Sequence, residues 1–315
     1  MGIIYNEKAK TFTLHTQNTT YQMQIDAYGF LLHLYYGRKT DGVMDYLLTY
    51  ADRGFSGNPQ DAGNDRTYSL DALPQEFPCR LTGDFRSPVL DLVNADGSLG
   101  CDLRYQGYEI CDGKYNLKGL PAVYAAEEEA QTLIIYMKDQ VTGLQVELLY
   151  GVLPEYDVIT RSAKVINTEE DKIRLTKAQA ACIDLLHGEF DVISFYGRHA
   201  MERNMQRTSV GHGAFVIGSR RGTSSHQYNP MLILAEKETT EDAGTCYGMS
   251  FVYSGGFKAE VEKDQLDRQE CRWDCRKSSF LIYWKRTGIC DSGSYFNLQQ
   301  SGTWKAFPES AEVYP

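Results

Sequence analysis

The densest group of potentially reactive side chains is the stretch SRRGTSSHQYNP at Ser219–Pro230. It holds two arginines, several hydroxyls, two side-chain amides and His226, and a second polar stretch, GRHAMERN, contains His199. Either histidine could act as a general base if a proton donor lay within hydrogen-bond reach. A histidine among such partners in a β-rich chain is more often a hydrogen-bonded structural residue. The composition therefore leaves three alternatives, which are a catalytic loop, a ligand clamp and a structural corner.

Signatures of metal and cofactor chemistry are missing from the sequence. Cys271 and Cys275 are separated by three residues, and no other cysteines or histidines stand at the spacing of a zinc site. The chain has no G-x-S-x-G nucleophile elbow, no P-loop and no dinucleotide-binding G-x-G-x-x-G after a strand. We therefore expect no metal and no cofactor.

The bulk composition is that of an acidic globular protein. The 315 residues are 42% hydrophobic, and the formal net charge of −10 argues against a partner held by its phosphates, so we expect no nucleic acid. No window approaches the roughly 18 apolar residues of a membrane span, and the first residues do not form a secretory signal. The eight cysteines are scattered rather than arranged as a disulfide framework. These features predict a cytoplasmic protein without a membrane partner.

Apolar residues alternate with a period of two along most of the chain, which is typical of half-buried strands. Glycine, proline, asparagine and aspartate separate the runs, as in an antiparallel sandwich rather than in βαβ units. The fold class predicted is therefore all-β, a large antiparallel β-sandwich with a few short helices, one of them near Met44–Tyr50. The strand-like runs are a hairpin at Thr11–Asp26, a strand at Phe30–Gly37, a block at Thr132–Thr168 and further strands to Glu262.

Two stretches break this pattern. Ala51–Pro88 is polar, with four glycines and four prolines, and a loop of that length in a compact domain is usually functional or covered by a partner. Residues 271–315 contain all three tryptophans and carry 6 basic against 4 acidic residues, a charge of +2 beside −12 for residues 1–270. We expect one domain over 1–270 and an aberrant or poorly ordered tail over 271–315.

Long motifs in the right order resemble the amino-terminal domain of glycoside hydrolase family 36 α-galactosidases, a resemblance that covers residues 3 to about 270. The segments that carry it are YADRGFSGNP (Tyr50–Pro59), LTGDFRSPVLDL (Leu81–Leu92), YEICDGKYNLKGLPAVY (Tyr108–Tyr124), GRHAMERNMQR (Gly197–Arg207) and SRRGTSSHQYNP.

The resemblance implies a galactose-mutarotase-like β-supersandwich that precedes a catalytic (β/α)₈ barrel. Such enzymes hydrolyse terminal α-linked galactose, as in melibiose and raffinose, with retention, which needs two carboxyl groups about 5–5.5 Å apart. In this family both are aspartates of the barrel, which takes about 250 residues. We therefore expect no catalytic residue here and no hydrolysis by this chain alone. Arg272-Trp273-Asp274 is similar to the family's Lys-Trp-Asp nucleophile motif, but it lies in the tail and is interpreted as coincidence.

The family also implies a role for the polar stretch at residues 51–88. In tetrameric bacterial members the matching loop reaches a neighbouring subunit's active site, which implies substrate-binding roles for Asp52, Arg53, Phe55 and Asn58. The expected partners are thus an α-galactoside and further copies in a homo-oligomer. The resemblance implies that the polar side chains of 219–230 form a buried corner at the domain seam, namely Arg220, Arg221, Ser224, Ser225, His226, Gln227 and Asn229.

The tail has its own hypothesis. The family continues with Phe-Val-Thr-Pro-Glu-Val before the barrel, and codons for GICDSG (Gly288–Gly293), read one base over, can spell Glu-Phe-Val-Thr-Pro-Glu. A shifted reading frame is therefore expected beyond residue 270. Two other functions stay open, a non-catalytic galactoside-binding module and a structural partner that oligomerises.

Overall fold

The computed structural model describes residues 2–52, 54, 57–167, 173–186, 188–266, 269–274 and 280–287. Within these ranges the chain is built from antiparallel strands. They are β1 (Ile3–Asn6), β2 (Thr11–His15), β3 (Thr19–Ile25), β4 (Leu31–Arg38), β5 (Leu90–Val93), β6 (Leu103–Asp112), β7 (Gln131–Asp139), β8 (Gln145–Leu153), β9 (Val158–Ile166), β10 (Arg174–Leu185), β11 (Phe190–Arg198), β12 (Met201–Ser209), β13 (Gly213–Thr223), β14 (Tyr228–Glu236), β15 (Gly244–Phe251), β16 (Gly255–Lys263), β17 (Gln269–Asp274) and β18 (Phe280–Thr287).

The strands form three sheets. A four-stranded sheet follows the chain order β1-β2-β3-β4, and a five-stranded sheet has the order β13-β16-β17-β10-β5. The largest sheet has nine strands in the order β12-β11-β14-β15-β18-β9-β8-β7-β6. The prediction of a large antiparallel all-β architecture is confirmed.

The predicted strands and turns are observed at the expected places. The hairpin at Thr11–Asp26 is β2 and β3, paired from Thr11 with Gln24 to His15 with Thr20. In place of the helix near Met44–Tyr50 the structure has one 3₁₀ turn at Asp45–Leu47. Further 3₁₀ turns lie at Gln60–Ala62, Glu127–Glu129 and Pro154–Tyr156. Among the described residues there is no α-helix, as expected for runs that alternate with period two.

The main core runs between the sheets and draws apolar side chains from all three, among them Phe12, Tyr150, Ile183 and Val261. The four-stranded sheet is covered on both faces, because successive residues of β4 enter different clusters. Leu31 packs in the main core, whereas Leu32 packs against a smaller cluster formed with part of the polar segment. That segment therefore lies on the outer face of the small sheet.

The expected buried corner at Ser219–Pro230 is wrong for this chain. Arg220, Arg221, His226 and Gln227 are exposed, and the stretch forms the end of β13, a turn and the start of β14. The neighbouring β12 is an edge strand whose side chains are mostly exposed on both faces. Within the described residues no layer packs against this end, and the hydroxyls of Ser219 and Ser225 donate locally, to the Thr223 carbonyl oxygen at 2.6 Å and to Gln227 at 3.0 Å.

Little of the expected tail can be compared with the structure. The backbone of β17 pairs with β10 and β16, and that of β18 pairs with β15 and β9. Residues 275–279 and 288–315, including GICDSG, lie outside the described residues, so the frame shift and the boundary at 270 stay predictions. No helix in the described part is long and apolar enough to cross a membrane.

Candidate functional site

The polar segment, residues 51–88, divides into two parts at Tyr68. In the front part, 51–67, the described residues are exposed or half-buried except for Ala62. In the rear part, 68–88, the stretch 68–79 is buried except for a half-buried Ala72. Leu70 and Leu73 pack beside Leu32 of β4 in the smaller apolar cluster. The rear part is therefore a component of the folded core, and the front part projects from it.

The strongest anchor of the rear part is the side chain of Glu76, which is fully buried. The guanidinium of Arg161 on β9 lies 2.7 Å from its Oε1. Tyr21 and Tyr150 donate hydroxyl hydrogen bonds to Oε1 at 2.7 and 2.8 Å, and Nδ1 of His33 lies 3.2 Å from Oε2. This Glu76 cluster joins the segment to the four-stranded and nine-stranded sheets at once.

The Glu76 carboxylate is paired with the Arg161 cation. Burial on its own would raise the pKa of Glu76, but the Arg161 cation and the contact with His33 outweigh it and lower that pKa. Burial is the main reason why the pKa values of Tyr21 and Tyr150 lie well above their usual range, so both hydroxyls stay protonated and donate. Charge-assisted hydrogen bonds of this kind are strong, and removal of one partner would leave an uncompensated charge in the core. The cluster is fully buried and lies between the sheets, so its role is structural.

A second anchor is Arg86, which is buried between two carboxylates. Its Nε donates to Asp84 at 2.8 Å and its Nη1 donates to Asp184 of β10 at 2.9 Å. Its Nη2 also donates to the carbonyl oxygens of Leu73 and Leu70 at 2.6 and 3.1 Å. The planar guanidinium thus ties both ends of the rear part to the five-stranded sheet.

A third arginine holds the base of the front part. Arg104 on β6 donates to Asp61 at 2.9 Å and to Asp102 at 2.6 Å, and its guanidinium lies 3.8 Å from the ring centroid of Phe30. Asp61 belongs to the 3₁₀ turn at Gln60–Ala62, so this contact fixes the turn beside the sheet edge.

The predicted substrate-binding residues are only partly within the described structure. The carboxylate of Asp52 accepts a hydrogen bond from the Gly54 amide at 2.9 Å and lies 3.0 Å from Nη2 of Arg66, both side chains being more than half exposed. Asn58 donates to the carbonyl oxygen of Asp65 at 2.7 Å. Arg53 and Phe55 lie outside the described residues. The structure thus places Asp52 and Asn58 on the same projecting part but shows no contact between them.

An open groove of about 2010 Å³ runs beside the front part. Asn58, Asp61, Asp96, Arg104 and Lys138 are among its lining residues, and polar and apolar surface contribute about equally to the lining. Asp52 is not among the lining residues. Among the described residues no group of histidine, cysteine and acidic side chains could hold a metal ion.

In the part of the chain that the structure describes, the two histidines considered as general bases make no hydrogen bond with a nucleophile. His199 and His226 are exposed at the end of the large sheet, near the carboxylate of Glu202. Sequence reasoning missed the Glu76 cluster, whose side chains come from strands and a loop far apart in sequence. The available signal was Arg161, a charged residue among the apolar and small residues that form the buried first half of β9.

Comparison with known proteins identifies the domain. A model of the glycosyl hydrolase family 36 N-terminal domain matches residues 29–272. The chain belongs to this family. It is 63% identical over 268 residues to the bifunctional alpha-galactosidase/sucrose kinase AgaSK of Mediterraneibacter gnavus. The solved galactosidase domain of AgaSK superposes with a TM-score of 0.88 at 56% identity, covering 91% of this chain and 42% of that one.

A second solved structure is informative about ligands. The family 36 alpha-galactosidase AgaA A355E D548N of Geobacillus stearothermophilus, in complex with raffinose, matches with a TM-score of 0.84 at 35% identity. The match covers 89% of this chain and 41% of the AgaA chain. This chain spans 29% of the length of AgaSK, although 85% of its own residues are aligned. The matched family 36 chains are thus much longer than this amino-terminal portion.

Proposed function

We propose that this chain is the amino-terminal β-sandwich of an α-galactosidase that hydrolyses terminal α-linked galactose with retention of configuration. The observation that carries the proposal is the 63% identity to AgaSK across almost the whole described domain. The chain supplies support rather than reacting acids, which belong to the barrel of the complete enzyme. Its location is the cytoplasm, and its assembly is a tetramer.

The front part of the polar segment is the region that would contact the sugar. Asp52 supplies an exposed carboxylate for sugar hydroxyls, and Asn58 shapes the rim of the pocket together with Arg53 and Phe55. A projecting loop on a buried base suits a part that reaches into the active site of a neighbouring subunit. Its pocket is complete only when that subunit contributes the opposing wall.

The test has two arms. The purified chain is expected to release no p-nitrophenol from p-nitrophenyl α-galactoside. A chimera, in which the matched residues of this chain replace those of AgaSK, is expected to hydrolyse raffinose. AgaSK itself is the control for the assay. Turnover by the purified chain, or a folded chimera without activity, would contradict the proposal.

A second candidate is a galactoside-binding module without catalysis, and the open groove lined by Asn58 and Arg104 favours it. Calorimetry of the chain with galactose and raffinose separates the two functions. The support function predicts no heat at millimolar sugar, because half of the pocket is missing. Saturable heat would establish the binding module instead.

A further inference from the structure

Two glycines bring distant parts of the polar segment into direct backbone contact. Gly83 has a φ of +89°, and a Cβ added there would lie 2.7 Å from the carbonyl oxygen of Gly57. It would also lie 3.3 Å from the carbonyl carbon of the same residue. A side chain at position 83 therefore meets an unfavourable backbone conformation and a backbone atom that must shift to make room for it.

The close approach of Gly57 and Gly83, called the glycine crossing below, connects the projecting front part to the buried base. Gly83 is followed by Asp84, which Arg86 holds through two hydrogen bonds of 2.8 Å. Gly57 is followed by Asn58, one of the predicted sugar contacts. The carbonyl oxygen of Gly57 also accepts a weak hydrogen bond from the Ser69 hydroxyl at 3.5 Å. A continuous path thus leads from the five-stranded sheet through Arg86 to the front part.

We infer that Gly83 is a positioning residue, which fixes where the front part of the polar segment presents its galactoside-binding side chains. The inference rests on the proposed function for the identity of the ligand, and on the glycine crossing for the mechanism. The exposed Asp52–Arg66 pair is too weakly held to set the position of the front part alone. Arg104 holds the turn at Asp61, and the crossing adds a restraint near Asn58 that acts on backbone rather than on a flexible side chain.

The matched pair of variants is Gly83→Ala and Gly222→Ala. Gly222 has a φ of +91°, so alanine meets the same backbone strain there, but its added Cβ has nothing within 4 Å. Comparison of the two variants therefore removes the general cost of alanine at positive φ and leaves the contact with Gly57.

Hydrogen exchange on the full 315-residue chain gives the first readout. The amides of Ala62, Gly63 and Asp65 donate within the front part. We expect Gly83→Ala to raise their exchange rates at least tenfold, while strands β7 and β8 keep their protection. Gly222→Ala is expected to leave all of these rates unchanged. Equal rates in Gly83→Ala and the unmodified chain would overturn the inference.

A second variant covers the case in which Gly83→Ala does not fold. Gly57 lacks a positive φ, and a Cβ there would lie at an ordinary 3.5 Å from the Gly83 Cα. Gly57→Val adds branched bulk at the same contact without glycine-specific strain, and it is expected to raise the same exchange rates. Gly57→Ala is its control and is expected to behave as the unmodified chain. Unchanged exchange in Gly57→Val would also overturn the inference.

Kinetics of the AgaSK chimera separates this inference from the proposed function. Gly83→Ala in the chimera is expected to raise the KM for raffinose about tenfold with kcat nearly unchanged, whereas a purely structural residue would lower the amount of active enzyme. An unchanged KM in an active chimera would overturn the positioning role. A chimera that is inactive before any substitution contradicts the proposed function, and the exchange rates then still decide whether the crossing fixes the front part.

Discussion

The front and rear parts of the polar segment contain five charged residues each but are held in different ways. The rear part buries Glu76 and Arg86, and each of them contacts a strand of the large or the five-stranded sheet. In the front part the Asp52–Arg66 ion pair is more than half exposed. Polar composition alone therefore does not tell whether a loop supports a fold or presents a site.

The difference is informative because buried and exposed ion pairs have different energetic consequences. Removal of one partner of a buried pair leaves an uncompensated charge in the core, whereas an exposed pair is screened by water. The rear part is thus expected to control the stability of the domain. The front part can change its contacts at little cost in stability, which suits a surface that binds a ligand.

The largest effect is expected from Glu76→Gln. It leaves the Arg161 guanidinium buried without its carboxylate, which costs about 3–5 kcal/mol in the free energy of unfolding. Urea denaturation measures this loss, and Glu241→Gln at an exposed position is the control. A loss below about 1 kcal/mol would mean that the rear part is not an anchor.

The contribution of the Glu76–Arg161 pair to the free energy of unfolding is expected to depend on pH. The pKa of Glu76 is lowered in the folded chain, so its contribution is present above the ordinary glutamate pKa of 4.5 and is lost as pH falls through the lower folded value. The difference in unfolding free energy between the unmodified chain and Glu76→Gln should therefore shrink as the pH falls below about 4.5. Denaturation at pH 7, 4.5 and 3 checks this, and a constant difference would refute the ionic origin.

A smaller effect is expected from Arg86→Lys. Lysine keeps the charge but cannot reach Asp84, Asp184 and the carbonyl oxygens with one planar group, so unfolding should become easier by about 1–3 kcal/mol. Arg80→Lys, whose exposed arginine pairs with Asp91 at 3.2 Å, is the matched control in the same segment. Equal stabilities for the two variants would show that the forked geometry does not matter.

The smallest effect is expected in the front part. Arg66→Ala removes an exposed partner of Asp52, and the unfolding free energy should change by no more than about 0.5 kcal/mol. Thermal denaturation beside the unmodified chain checks this value. A loss comparable with that of Arg86→Lys would remove the distinction between the two parts.

The sequence predicted the sheets better than the polar contacts. Alternation in stretches such as Thr132–Thr168 fixes which faces are buried, and local turns fix the register of β7, β8 and β9. The contacts of Glu76 depend on residues up to 85 positions away, and no local pattern encodes them. The prediction of a buried corner at Ser219–Pro230 was wrong for a different reason. Burial of that stretch needs a packed layer that the described residues do not contain.

Asp52→Asn in the AgaSK chimera tests the central claim most directly, since it changes the front part without touching the buried anchors. If the Asp52 carboxylate accepts sugar hydroxyls, the KM for raffinose should rise about ten- to a hundredfold, while the unfolding midpoint stays unchanged. An unchanged KM, or a loss of stability as large as that of Glu76→Gln, would contradict the division into a supporting rear part and a substrate-binding front part.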